Sequence, residues 1–177
     1  KARKGLLIGL GLWFVPTFSL AELPVGSTPK TITLQGELGK LVDGGGPWKS
    51  DGFKGFVTIL FYVDPDKADL NNAASEALKN ANLPADQVRS VAVINMDATL
   101  LPNFLVQGKL EDKQAEYQNT LYVMDYQKVL VNEWGLGDHN NDVVIFDKQG
   151  KVLFSVDGQL NQSQIQEMLA AVKSGFD

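Results

Sequence analysis

The sequence predicts an α/β fold in which a central mixed sheet is flanked by helices and preceded by an N-terminal β-hairpin extension. Two runs, 56–63 and 91–94, are apolar and rich in β-branched residues, which is typical of strands covered on both faces. A helical pattern of apolar residues lies between them, as expected for parallel strands joined by a crossover helix. Two later apolar runs flank the turn at 147–150 and predict an antiparallel hairpin.

At the N-terminus, the first 21 residues have the three-part pattern of a secretory signal peptide. A basic start is followed by an apolar run over 5–18, and Ser19 and Ala21 provide the small residues of a cleavage site. The apolar run is shorter than the roughly 20 residues that span a bilayer. We therefore expect export to the periplasm, cleavage after Ala21, and no membrane attachment once residues 1–21 are removed.

Composition excludes several classes of function. The chain of 177 residues contains no cysteine, so thiol–disulfide exchange, peroxidase chemistry and thiolate metal sites are excluded. Its single histidine also excludes a His-rich metal site. Removing residues 1–21 removes three basic and no acidic residues, which changes the formal charge from −5 to −8. An acidic domain repels the phosphate backbone, so nucleic acid is not an expected partner.

The predicted elements before the second buried strand follow from local patterns. Alternation of apolar and polar residues at 31–34 and 38–42 predicts two short strands joined at Gly36. The glycine-rich segment at 43–47 predicts a flexible loop before the buried strand. After that strand, leucines and alanines at helical spacing predict a helix over 70–81.

Beyond the second buried strand, the pattern is weaker. The segment 102–108 is expected to be irregular, and 110–119 to form a polar surface helix. For 121–123 the pattern fits either a short strand or a helix end. The last helix is better defined, because Asn161 and Gln164 suit a capping box at its start. No repeat or linker interrupts the chain, so we expect one domain over 22–177.

The order of these elements resembles the thioredoxin fold. Trp134-Gly135-Leu136, a polar loop and the segment 142–152 are similar to the closing strands of thioredoxin and peroxiredoxin-like proteins. At finer grain, the segments 91–97 and 143–152 together with Trp134 resemble the YtfJ family of exported bacterial proteins with a cysteine-less thioredoxin-like domain. The resemblance implies this fold and no established activity. A "transcriptional regulator" label, carried by some members, conflicts with export and an acidic charge.

Two departures from the thioredoxin pattern are important. Thioredoxins have Cys-x-x-Cys after the first buried strand, whereas this chain has Asp64-Pro65-Asp66-Lys67. Thioredoxins also place a cis-proline before the strand that corresponds to 143–147, whereas this chain has Asn141-Asp142. Thiolate chemistry requires sulfur, so both departures agree with a scaffold that has lost its redox centre.

The candidate site lies where the carboxyl ends of the two parallel strands meet the loop before the hairpin. The candidate ligand-binding residues at this edge are Asp64, Asp66, Asp97, Asp138, His139 and Asp142, with Asp69 near them. Carboxylate oxygens suit a hard divalent cation, so Asp64, Asp97 and Asp142 are candidate metal ligands. A carboxylate pair with His139 would also suit general acid–base chemistry. Each residue equally fits a helix cap or a turn.

Three hypotheses for function remain open. The first is a non-catalytic module without a cofactor that binds an unknown protein or small ligand at this edge. It expects an open concavity there, not one covered by the loop 137–141. The second is a divalent-metal-binding protein or a metal-assisted hydrolase. The third is a small subunit of an envelope assembly, which expects an exposed apolar patch.

Overall fold

A mixed sheet lies at the centre of the computed structural model, which describes residues 22–176. The strands are β1 (Thr33–Leu34), β2 (Gly39–Leu41), β3 (Trp48–Lys49), β4 (Val57–Val63), β5 (Val88–Asn95), β6 (Thr120–Asp125), β7 (Asn141–Phe146) and β8 (Val152–Asp157). The helices are α1 (Asn72–Asn80), α2 (Asn103–Glu116), α3 (Val129–Trp134) and α4 (Gln162–Ser174). The predicted signal peptide, residues 1–21, lies outside the described residues.

The central sheet has six strands in the order β2-β6-β5-β4-β7-β8. Strands β4, β5 and β6 are parallel, whereas β7, β8 and β2 each run antiparallel to their neighbours. In this register Val63, at the end of β4, pairs with Asn141, at the start of β7. The predicted mixed sheet is therefore confirmed, and the carboxyl ends of β4 and β5 lie beside the loop that enters β7.

The N-terminal extension is present, but its pairing differs from the prediction. An antiparallel two-stranded sheet forms between β1 and β3, not between the segments on either side of Gly36. The second of those segments, as β2, joins the central sheet against β6. A side chain at Gly39 would lie 2.2 Å from the Met124 carbonyl oxygen, so only glycine permits this close approach. Alternation predicts that a segment is a strand but does not identify its partner.

Helices α1 and α4 agree with the prediction, whereas the elements between them in the chain differ from it. Helix α4 begins with the predicted capping box, in which Asn161 and Gln164 bond each other's backbone N–H. Helix α2 starts at Asn103, so the expectation of an irregular 102–108 segment was wrong. Residues 121–123 belong to β6, which resolves the ambiguity in favour of a strand. Helix α3 was not predicted.

Two layers of apolar side chains cover the sheet. On one face, Leu60 and Tyr62 pack with α3 and with the two-stranded sheet, and the rings of Phe53 and Phe146 stack 4.8 Å apart. On the other face, Ile59 and other residues of β4 and β7 pack against α1 and α4. A further cluster lies under α2. Trp48, Phe53 and Trp134 are buried in the first of these layers.

A short N-terminal segment, residues 22–27, lies along β8, and we call it the N-terminal strap. The N–H of Gly26 donates to the Val152 carbonyl at 2.7 Å, and the N–H of Val152 donates to the Ser27 carbonyl at 2.8 Å. Leu23 is buried, and its N–H donates to Ser155 Oγ at 3.0 Å. Over residues 22–176, no helix has the length and apolarity needed to cross a membrane.

Candidate functional site

Asp64 follows β4 and immediately precedes a short 3-10 helix, Pro65–Lys67, where thioredoxins carry their cysteines. Its Oδ1 accepts the N–H of Asp66 at 2.8 Å, and its side chain is almost fully buried. Its Oδ2 lies 3.8 Å from Nδ1 of His139. Asp64 therefore acts as a helix cap, which is one of the two roles that the sequence allowed.

The loop 137–140 covers the ends of β4 and β5. Nδ1 of His139 lies 3.1 Å from the Ala98 carbonyl oxygen, a contact that requires the proton to be on Nδ1. Asp138 accepts a hydrogen bond from the Asn95 side chain at 2.9 Å. These contacts tie the loop to residues at the end of β5, at the point where we expected an open concavity. They count against a small-ligand cleft between the ends of β4 and β5.

Lys128 joins two of the predicted acidic residues. Its Nζ lies 2.9 Å from Asp138 Oδ2 and 3.1 Å from Asp97 Oδ2. Partial burial alone raises the pKa of Asp138, but hydrogen bonds from Lys128 and Asn95 outweigh it and lower the pKa overall. The same two carboxylates raise the pKa of Lys128. Asp97 and Asp138 are thus partly neutralised at the surface.

Asp142 lies inside the molecule, away from these surface charges. It is 1% exposed, and its Oδ2 accepts the N–H of Gly137 at 2.6 Å. Among the described residues, no N–H or hydroxyl group donates to its Oδ1. Burial and the neighbouring Asp157 carboxyl, paired with it across β7 and β8, raise the pKa of Asp142 to about 9. A hydrogen bond between the two carboxyls requires a proton on one of them.

The predicted metal ligands Asp64, Asp97 and Asp142 are not brought together. Asp64 caps the 3-10 helix, Asp97 pairs with Lys128, and Asp142 faces Gly137 and Asp157. Within residues 22–176, no group of three or more acidic or histidine side chains is arranged to hold a metal ion. The geometry therefore lends no support to a metal-assisted hydrolase.

Sequence reasoning missed a third buried carboxyl at the same end of the sheet, besides those of Asp64 and Asp142. Asp125 ends β6, and its oxygens accept the hydroxyl of Tyr62 and the N–H groups of Gln127, Val129 and Leu130. Burial raises the pKa of Asp125, although these hydrogen bonds oppose the shift. Because 121–123 was left ambiguous, the end of a third parallel strand could not be placed from the sequence.

An exposed apolar surface lies next to this edge. We call Leu100, Leu101, Phe104 and Leu105 the apolar patch; Leu100 is fully exposed and Phe104 is 72% exposed. The exposed carboxylates beside it form the acidic rim, which consists of Asp66, Asp69, Asp97 and Asp138. Patch and rim are joined, since Thr99 Oγ1 donates to Asp66 at 3.2 Å. An open depression of about 380 Å³ lies along the rim between Pro65 and Gln159.

Comparison with known proteins identifies the family. The model of a family described as bacterial protein of unknown function (YtfJ_HI0045) matches residues 43–175. The chain belongs to this family. Its similarity to the uncharacterized protein YtfJ of Escherichia coli (strain K12) is 26% identity over 125 residues, covering 69% of this chain and 68% of that protein. The resemblance to the YtfJ family that we inferred from 91–97, Trp134 and 143–152 is therefore confirmed.

Solved structures similar to this YtfJ-family protein have the thioredoxin-like fold. One, provisionally named thiol:disulfide interchange protein DsbE, from Chlorobium tepidum, has a TM-score of 0.60 at 19% identity, covering 85% of this chain and 99% of its own. A thiol-disulfide isomerase from Corynebacterium glutamicum has a TM-score of 0.56 at 13% identity, with coverage of 80% and 95%. At such identities the likeness concerns the fold alone. The absence of cysteine from this chain fits a role outside thiol redox chemistry.

Proposed function

We propose that this protein is exported to the periplasm, loses residues 1–21, and acts there as a non-catalytic module that binds a polypeptide partner. The observation that carries the proposal is the apolar patch. It places four large apolar side chains within six consecutive residues, at the start of α2. Soluble monomers rarely expose a concentrated apolar surface unless it contacts a partner or a membrane.

The acidic rim determines the chemistry of the proposed partner. Protein interfaces combine an apolar centre with a polar border, and here the border carries the carboxylates of Asp66, Asp69, Asp97 and Asp138. The complementary partner is a polypeptide segment in which apolar side chains are flanked by lysine or arginine. An anionic lipid surface is a poorer match, because the rim is negative and the formal charge without residues 1–21 is −8.

The binding proposal is tested with a random peptide library displayed on phage and selected against the immobilised protein. Enriched peptides should combine apolar residues with lysine or arginine. Synthetic versions should bind the Leu100→Ser/Phe104→Ser variant at least about tenfold more weakly, a loss of about 1.4 kcal/mol. A matched control is Val25→Ser, which changes an exposed apolar residue on the N-terminal strap and should leave binding unchanged. Equal binding to both variants would contradict the proposal.

The contribution of the rim can be measured separately. Asp66→Asn/Asp97→Asn should slow association and reduce its dependence on salt, since charges at the border of an interface act mainly on the association rate. Dissociation should change little. If association is unaffected, the rim does not select the partner.

A second candidate function rests on the same patch. A small subunit of an envelope assembly would bury Leu100 and Phe104 against other copies or other subunits. Light scattering distinguishes this case: a defined oligomer that Phe104→Ser converts to monomer supports self-assembly. A monomer that binds peptides favours the module.

A further inference from the structure

Gly108 interrupts the outward face of α2 next to the apolar patch. It lies one helical turn beyond Phe104 and Leu105, and residues three or four positions apart share one face of a helix. Val106 and Leu110 lie on the opposite face, where they are buried in the cluster under α2. The exposed face of α2 therefore continues from the patch into a position that carries no side chain.

The fold itself does not require a glycine at position 108. Apart from the neighbouring residues and the backbone of α2, no atom lies within 4 Å of the place where a Cβ atom would be, and the φ angle of Gly108 is not positive. After proline, glycine is the residue least favourable to a helix interior, because it loses the most backbone freedom. Alanine would fit here and would favour the helix. The position instead suits the close approach of another chain to the backbone of α2.

Carboxylates border this face of α2 at both ends. Near its start, Thr99 Oγ1 donates a hydrogen bond to Asp66 of the acidic rim at 3.2 Å. Beyond Gly108, the next turn carries the exposed Glu111 and Asp112. An apolar centre between two acidic ends is complementary to a segment that has an apolar centre and basic ends. A second copy of this chain is a poor occupant, because the borders of both copies would be acidic. Two exposed lysines lie towards the side of the helix: Lys109 and Lys113.

We propose that the partner segment is an amphipathic helix that packs along α2 and crosses it at Gly108. This inference rests on the proposed function, and it specifies the conformation of the polypeptide partner and its path. The apolar side chains of the partner contact the apolar patch, and lysine or arginine residues at its ends face the carboxylates. Because Gly108 has no side chain, the axes of the two helices can approach closely at the crossing point.

The backbone of α2 favours a helical partner over an extended one. The N–H and C=O groups in the middle of α2 are bonded within the helix, so they offer nothing to the backbone of a neighbouring chain. A partner helix bonds its own backbone groups internally. An extended segment pressed against apolar side chains would instead leave polar backbone groups without partners, which is costly. Apolar residues at helical spacing also give the partner one continuous apolar face.

The probes for this inference are synthetic peptides enriched from a displayed library of about 16 random residues, which is long enough for about four helical turns. Enriched peptides should carry apolar residues at helical spacing, and their helical circular dichroism should increase when they bind. A proline in the middle of such a peptide should weaken binding at least about tenfold, because proline breaks a helix.

Substitutions at Gly108 test the path of the partner across α2. Gly108→Leu should weaken peptide binding at least about tenfold, because the new side chain occupies the crossing point. Gly108→Ala should raise the melting temperature by about 3 °C, since alanine favours the helix. Gly108→Leu should not lower the melting temperature, so a loss of binding is not caused by unfolding. The matched control is Ala170→Leu, which adds the same side chain at an exposed position of α4 and should leave binding unchanged.

Failure of this inference is distinguishable from failure of the proposed function. If the peptides bind Leu100→Ser/Phe104→Ser more weakly but bind Gly108→Leu as tightly as the parent, the partner does not cross α2 at Gly108 and the inference is wrong. Peptides that tolerate the proline would show that the partner is not helical. If no peptide is enriched, or if Leu100→Ser/Phe104→Ser binds as tightly as the parent, the proposed function is refuted and the inference with it.

Discussion

Asp125 and Asp142 are both buried carboxyls in this sheet, yet the fold treats them differently. Asp125 accepts hydrogen bonds from Tyr62 and from three backbone N–H groups. Asp142 accepts one, from Gly137, and faces the carboxyl of Asp157. A buried carboxyl with few donors keeps its proton, because desolvation penalises the charged form. Burial raises the pKa of both residues, but hydrogen bonds oppose the shift at Asp125, whereas the Asp157 carboxyl adds to the shift at Asp142.

The raised pKa of Asp142 predicts how the stability of the protein depends on pH. Its pKa in the folded state, about 9, is raised above the ordinary value of about 3.9. Between these values the folded state binds more protons than the unfolded state, so this group's contribution to stability falls as pH rises, by up to about 1.4 kcal/mol per unit. Asp142→Asn should remove that slope and raise stability relative to the parent at pH 8.5 but not at pH 4.

Urea denaturation of the parent and of Asp142→Asn, at pH values from 4 to 9, measures this slope. Asp86→Asn, which changes an exposed carboxyl, should keep the parent's slope. Parallel pH profiles for Asp142→Asn and the parent would show that Asp142 is ionised in the folded protein.

Helix α3 shows how a polar residue can define an element that apolar patterning does not reveal. The helix spans Val129–Trp134, and it follows Lys128, whose φ of 51° lies in the left-handed region. Asp125 holds its first turn by accepting the N–H groups of Val129 and Leu130. A helix of less than two turns is too short to show a 3.6-residue period, which is why the sequence did not predict it.

Removing the Asp125 carboxylate should therefore destabilise the protein strongly. Asp125→Ala leaves the Tyr62 hydroxyl and several N–H groups without an acceptor in the interior, and should cost about 3 kcal/mol of unfolding free energy. The matched control is Asp147→Ala. Asp147 also accepts two backbone N–H groups, from Gln149 and Lys151, but in an exposed turn where water replaces it. Its loss should cost about 1 kcal/mol or less; equal costs would mean that burial of Asp125 is unimportant.

The elements that the sequence predicted are those with strong local signals. β4 and β5 have long apolar runs, β7 and β8 flank a clear turn, and α4 has its capping box. The start of α2 was missed because exposed Phe104 and Leu105 disrupt its amphipathic pattern. The site was predicted only in part: topology brought the acidic residues to one end of the sheet, but side-chain partners such as Lys128 come from tertiary packing. The location of the apolar patch was not predicted, because exposure cannot be determined from residue type.

At the scale of the whole molecule, one sheet supports every apolar cluster. Residues of β4 contribute to both faces, with Leu60 towards α3 and Ile59 towards α1 and α4. If packing is lost on one face, β4 deforms, and the layer on its other face then loses its support. We therefore expect the two faces to unfold together.

Cooperative unfolding can be measured with probes on opposite faces. Fluorescence of the buried Trp48 and Trp134 reports on the α3 face, while far-ultraviolet circular dichroism is dominated by α1, α2 and α4 on the other. The two urea transitions should coincide in midpoint and slope in the protein beginning at Glu22. An earlier fluorescence transition would mean that the α3 face is a separate cooperative unit.

The N-terminal strap also affects how readily one chain can pair with another through the edge of the sheet. Exposed strand edges template the cross-β stacking of one chain on another. Here β2 at one margin is only Gly39–Leu41, and the strap occupies the backbone of Val152 at the other margin. Displacement of the strap would uncover β8, whose Leu153 and Phe154 are apolar. The strap therefore shields this margin of the sheet from pairing with another chain.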